Sequence, residues 1–143
     1  MKNTEKNILV TNDVINEIRE YANNGRHESG GIIGKNKNGI ITKFCPDESP
    51  QESTPFSYSP NIEFLEHIIN DIWIHECIEF AGFVHSHMHN GSISEDDILY
   101  IRKIINNNNY ESLICGILNV ENIKYEDAIQ WYNISKNNIE LLH

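Results

Sequence analysis

The chain has 143 residues, enough to bury a sizeable core in one domain and too few to accommodate a second comfortably. Its 21 acidic residues against 11 Lys and Arg give a formal net charge of −10 and a pI near 5.0, which argues against nucleic acid or an anionic membrane surface as a partner. Three cysteines, Cys45, Cys77 and Cys115, lie far apart with no Cys-x-x-Cys pair, so neither a disulfide framework nor a thiolate zinc site is expected.

The first seven residues are polar, and the Ile8-Leu9-Val10 run after them is far shorter than a signal segment or a membrane span. The expectation is a soluble, cytoplasmic protein. Residues 8–11 read as a short strand. Thr11 or Asn12 then caps a helix carrying Val14, Ile15, Ile18, Tyr21 and Ala22 on one face, ended by Asn24-Gly25. Residues 28–34, Glu-Ser-Gly-Gly-Ile-Ile-Gly, form a glycine-punctuated strand, and residues 40–45 a second one, the two making a hairpin. Gly30, Gly31 and Gly34 lack the Lys-Ser/Thr ending of a phosphate loop, so close strand packing accounts for them better.

Three prolines among Asp, Glu, Ser and Gln mark residues 46–55 as an exposed loop. Residues 56–59 read as a short strand, and Ser59-Pro60 as the cap and first residue of a helix. Ile62, Leu65, Ile68, Ile69, Ile72 and Trp73 recur at helical spacing to about Glu76, giving an amphipathic helix suited to covering a sheet. An apolar run over residues 80–84 is the next strand, and a helix follows from Glu95 to Asn106 with Ile98, Ile101, Ile104 and Ile105 inward. Residues 112–120 and 128–134 are further strands, while residues 139–142 fit strand or helix equally. Mixed strands and helices without an internal repeat indicate one α/β domain.

The chemistry gathers where the 80–84 strand ends. His85 and His87 are two residues apart, so extended chain presents both on one face. After a polar Asn-Gly loop, Ser94-Glu95-Asp96-Asp97 opens the next helix and returns a carboxylate toward them. Two imidazoles, one carboxylate and an open fourth position describe a catalytic rather than a structural zinc site. Taken alone, each part has a plainer reading. Ser94-x-x-Asp97 is also a capping box; the two roles can coexist in part, but a zinc-bound Asp97 is not free to cap. A shifted pair, His87 with His89, and Asp96 in place of Asp97 are the alternative registers. His67 and His75 on the amphipathic helix read as solvated, and His27 as a surface residue or one bordering the cleft.

With Glu28 upstream, the set Glu28, His85-Ser86-His87 and Ser94-x-x-Asp97 resembles the JAMM, or MPN-plus, metalloprotease family over roughly residues 8 to 135. Two departures stand out. Met88 occupies the position after the second histidine where the family usually has Pro, and the loop to Ser94 is one residue short. The resemblance implies a single JAB/MPN domain over residues 1–143, a cytidine deaminase-like α/β fold with a curved mixed sheet flanked by helices. It implies Zn2+ held by His85, His87 and Asp97, Glu28 as the acid and base, and Ser94 as a donor to the oxyanion, a duty shared with zinc. The activity implied is an isopeptidase that frees ubiquitin-like proteins from lysine amines or from their own C-terminal extensions. Trimming of a small sulfur-carrier protein and a noncatalytic MPN scaffold are the alternatives. Conjugation-pathway enzymes encoded nearby would point to a bacterial pathway, with phage defence as one setting.

Overall fold

A computed structural model describes residues 7–23, 29–47, 52–54, 57–59, 61–87, 92–122 and 128–143. The elements are α1 (Asn12–Asn23), β1 (Gly30–Lys35), β2 (Ile41–Pro46), β3 (Glu52–Thr54), β4 (Ser57–Ser59) and α2 (Ile62–His67). They continue with β5 (Glu79–His87), α3 (Glu95–Asn108), β6 (Ser112–Asn119), β7 (Ile129–Ser135) and β8 (Ile139–Leu142). Six strands form one sheet in the order β2-β1-β5-β6-β7-β8, in which only β5 and β6 run parallel. The α3 crossover between those two strands supplies the length that a parallel connection needs.

Both faces of the sheet are covered. α1 buries Val14, Ile18 and Ala22, one face at helical spacing, against Ile33, Ile41, Val84, Leu118, Trp131 and Leu142. On the opposite face α2 and α3 contribute Leu65, Ile101 and Ile105 over Ile32, Phe83, Cys115, Ile117 and Ile134. Thr11 caps α1, its Oγ1 accepting the Val14 N–H at 3.3 Å.

Residues 8–11 make one bridge rather than a strand. Val10 pairs with Ile41, the Ile41 N–H donates to Leu9 O at 2.9 Å, and the Ile8 N–H donates to His143 O at 3.1 Å. One short segment therefore reaches both outer strands of the sheet.

Three expectations need correction. Residues 46–55 are not one exposed loop: Pro46 ends β2, Asp47 is fully buried, and β3 pairs with β4 as a separate hairpin. The second helix is capped by Asn61, whose side chain accepts the Phe64 N–H at 3.3 Å, so Ser59-Pro60 is not its start. Nor is that helix uniform, since its α-helical turns give way to a π-helical turn over Ile68–Ile72 and a 3-10 turn over Trp73–Glu76. The ambiguous tail is strand β8. Asn24-Gly25 lies outside the described residues.

β5 contains the feature that aims the site. Ile33 pairs with Gly82 and Gly34 with Phe80, so Ala81 is an extra residue, a bulge. The bulge reverses the in-out alternation. Phe80 and Phe83, three residues apart, lie on the same face with ring centroids 5.3 Å apart. Gly82 adopts φ +149° there, and a Cβ on it would lie 1.8 Å from the carbonyl oxygen of Ile114. Glycine is thus imposed by both backbone and neighbour. Gly31 and Gly34 are close-packed too, against Cys45 O and the Trp73 ring.

Candidate metal centre

Downstream of the bulge, Phe83, His85 and His87 share the face covered by α3. Phe83 enters the core beside Cys115 and Ile117, and the two histidines continue that row beyond the end of the apolar packing. β5 runs through both histidines rather than stopping before them, because β6 pairs with it as far as His87 and Asn119. The chain is held on the other side as well. Ser86 donates its N–H to Ser29 O at 2.8 Å, and its Oγ accepts the Ser29 N–H at 2.9 Å. Gly30 lies opposite His85.

α3 brings Asp97 over this row. Nε2 of His85 is 3.1 Å from Oδ1 of Asp97, and Nε2 of His87 is 3.6 Å from Oδ2. The imidazole centroids are 4.8 Å apart at 60°. All three side chains are largely buried, at 10%, 15% and 21% exposure, so their mutual attraction is only weakly screened by water.

Asp97 also caps its own helix. Its N–H donates to Ser94 Oγ at 3.1 Å, and Oδ2 accepts the Ser94 N–H at 3.2 Å. Capping and facing the histidines occur together here: Oδ1 faces His85, while Oδ2 both accepts the Ser94 N–H and lies toward His87. Burial by itself would raise the Asp97 pKa. Contacts with His85 and then His87, the charge of His85 and the Ser94 contact together outweigh it, and hold the carboxyl well below the usual carboxylate range. At 3.6 Å the His87 contact is longer than a well-formed hydrogen bond.

The donor set fits zinc. Among the described residues these three are the one group of His, Cys, Asp or Glu side chains placed to hold a metal ion, with ligand atoms all within 4.8 Å of one another. Zinc bonds of about 2.0–2.1 Å in a tetrahedron imply ligand-to-ligand separations of about 3.3 Å, and the 3.1 and 3.6 Å contacts bracket that value. Two nitrogens and one carboxylate oxygen leave a position open for water or substrate, unlike the closed set of a structural site.

Asp96 is exposed and takes no part in the group. His67, paired at 2.6 Å with Asp71, is exposed, as is His75. Glu28, His27, Met88 and His89 lie outside the described residues. Ser29, the neighbour of Glu28 in the chain, is the residue bonded to Ser86. Asp47, read in the sequence as part of an exposed loop, is a structural tie: its Oδ2 accepts the Asn61 N–H at 2.7 Å and its N–H donates to Gly30 O at 2.8 Å, joining the start of α2 to β1 beside His85. No pattern of nearby residues announces a contact between positions 14 and 17 residues apart.

No protein-family model matches the sequence, and no curated protein is detectably similar to it. Solved structures are similar. Protein DSY2949 from Desulfitobacterium hafniense superposes with a TM-score of 0.71 at 16% identity, over 94% of this chain and 88% of that one. AF2198, a JAB1/MPN domain protein from Archaeoglobus fulgidus, superposes with a TM-score of 0.58 at 15% identity, over 95% of this chain and 96% of its own. At these identities the likeness establishes the fold. The chain is thus an α/β protein with an MPN-like fold. Its His-His-Asp group is a potential metal-binding site that resembles a JAMM motif.

Proposed function

We propose that the protein is a zinc metallopeptidase of the JAMM type, an isopeptidase that releases a ubiquitin-like protein from a lysine amine or from its own C-terminal extension. The observation that carries this reading is the approach of His85, His87 and Asp97 to one another on an MPN-like fold. Bound by these three side chains, zinc would supply Lewis acidity, making a hydrolytic water reactive near neutral pH and polarising the scissile carbonyl. The protein's own groups do the rest. Glu28 takes the proton from the attacking water and hands it to the leaving amine, so one carboxylate serves as base and then acid. Ser94 Oγ already accepts the Asp97 N–H, which leaves its hydroxyl proton to donate to the oxyanion of the tetrahedral intermediate. The largely buried floor of the site keeps these interactions strong. No cysteine or serine nucleophile takes part.

The test compares wild type with Glu28→Ala on a ubiquitin-like protein carrying a C-terminal extension, with zinc measured by elemental analysis. The expected result is one zinc per chain in both proteins and cleavage only by wild type. Undiminished turnover by Glu28→Ala would remove Glu28 from the mechanism. An intact fold with no zinc in wild type would leave the scaffold reading in its place.

A further inference from the structure

Ser86 stands between the two histidines in the chain but leaves the strand on the other face. Side chains alternate along β5, and Val84, two residues earlier, packs in the α1 cluster, so Ser86 lies on the α1 side while His85 and His87 face α3. It is buried, at 2% exposure. Facing away, it is not a candidate metal ligand. Its hydroxyl is engaged with Ser29 instead. Oγ accepts the Ser29 N–H at 2.9 Å, donates to Ser29 O at 3.3 Å and lies 3.5 Å from Ser29 Oγ.

This replaces half of an ordinary strand pairing. Residues opposite each other in an antiparallel ladder exchange N–H and C=O groups at alternate pairs. Gly30 lies opposite His85, so Ser29 falls opposite Ser86, and the Ser86 N–H donates to Ser29 O at 2.8 Å as such a pair requires. The reciprocal bond goes elsewhere: the Ser29 N–H is taken by the Ser86 side chain.

That N–H belongs to the peptide unit joining Ser29 to Glu28. A peptide unit is planar, so a hydrogen bond to its N–H orients the whole plane, up to the Cα of the preceding residue. From the β2 side the Asp47 N–H donates to Gly30 O at 2.8 Å, so the next residue of β1 is held as well. Merely finishing the sheet would need only a main-chain carbonyl here. We propose that Ser86 is a positioning residue, whose hydroxyl orients the Glu28–Ser29 peptide so that the Glu28 carboxylate meets the attacking water at the His85, His87 and Asp97 group. This rests on the peptidase reading and deepens it.

The test compares wild type, Ser86→Ala and Ser86→Thr on a ubiquitin-like protein carrying a C-terminal extension. Zinc is measured by elemental analysis, and exchange of the Ser29 amide is followed by NMR on the metal-free proteins. Ser86→Ala should keep one zinc per chain and an unchanged KM. Its Ser29 amide should exchange about tenfold faster, the scale of one neutral hydrogen bond. Its kcat should fall about ten- to a hundredfold, the scale of a misplaced catalytic group. Ser86→Thr retains the hydroxyl and should restore slow exchange and most of kcat. Should Ser86→Ala fail to fold, an ester in place of the Glu28–Ser29 peptide deletes only the N–H that Ser86 accepts, and should lower kcat alike.

An unchanged kcat once the Ser29 N–H is released, or deleted in the ester, overturns the proposal. So does a fall in kcat with the Ser29 amide still slow to exchange, or one that comes with loss of zinc, which would move the role of Ser86 to its neighbouring histidines. Those results leave cleavage by wild type standing and sink the positioning role alone. No cleavage by zinc-loaded wild type sinks the peptidase reading with it.

Discussion

The two carboxylate oxygens of Asp97 serve different neighbours: Oδ1 lies 3.1 Å from Nε2 of His85, while Oδ2 accepts the N–H of Ser94 at 3.2 Å. One side chain therefore starts a helix and faces a metal position. The two roles separate by mutation. Asp97→Ala removes half of a capping box and should cost the metal-free protein about 1 kcal/mol. Asp97→Asn keeps an acceptor for Ser94 and should cost about half that or less. Both should lose zinc affinity by at least about a hundredfold, the upper end of what outer-shell changes cost. Thermal melts in chelator and competition with a zinc indicator measure the two effects. If both variants keep zinc, Asp97 is a cap and nothing more.

Gly82 should be the least replaceable glycine of β5. A methyl group there meets the Ile114 carbonyl and forces an L residue to φ +149°. Gly82→Ala is expected to lose more than about 3 kcal/mol by denaturant unfolding, or to fail to fold. A variant that folds at wild-type stability would mean that the bulge is not needed to aim His85 and His87.

The cysteines should differ sharply toward an alkylating reagent. Cys77 is exposed, whereas Cys115 is fully buried, and burial together with the negative charge of Asp97 pushes its thiol well above the usual range. Thiolate is the reactive form, so mass mapping after brief iodoacetamide treatment near pH 8 should find Cys77 modified and Cys115 intact. Rapid labelling of Cys115 in folded protein would contradict the packing under α3.

Alkaline pH probes another part of the same face. Burial raises the Tyr100 phenol, with the Asp47 charge adding to it, and burial raises Tyr110. The fold thus favours the protonated phenols. Their contribution to stability is complete below the unfolded-state value near 10 and fades as pH climbs through the raised values. Unfolding free energies and absorbance at alkaline pH should show this loss, and Tyr100→Phe should flatten it. A loss that begins on the acid side of neutrality would have another origin.

Much of this arrangement is legible in the sequence, because the residues that carry it act locally. The periodicity of α1 and α3, the hairpin of β1 and β2, and the proximity of His-x-His to Ser-x-x-Asp all follow from neighbouring residues. The bulge does not. Simple alternation from Phe80 would put Phe83, His85 and His87 on the α1 side, and only the pairing of Ala81 and Gly82 against β1 reverses that. Asp47 reads as loop because its partners are remote, and the strand read over residues 112–120 does not show that its pairing with β5 sets Asn119 opposite His87. The sequence points to Ser59-Pro60 as the cap of α2 because that pair has the right chemistry, while Asn61 additionally has its backbone N–H fixed by Asp47.

The segment over residues 8–11 bears on self-association. An open sheet offers two rows of unpaired backbone groups to any neighbouring chain, and here a single strip of four residues blunts both of them, at Ile41 and at His143. Farther along β2 stand Lys43, in an ion pair with Glu76 at 3.3 Å, and Pro46, which has no N–H to offer. A chain that lost this strip would bare both margins at once, turning a closed domain into a template on which a second copy could grow.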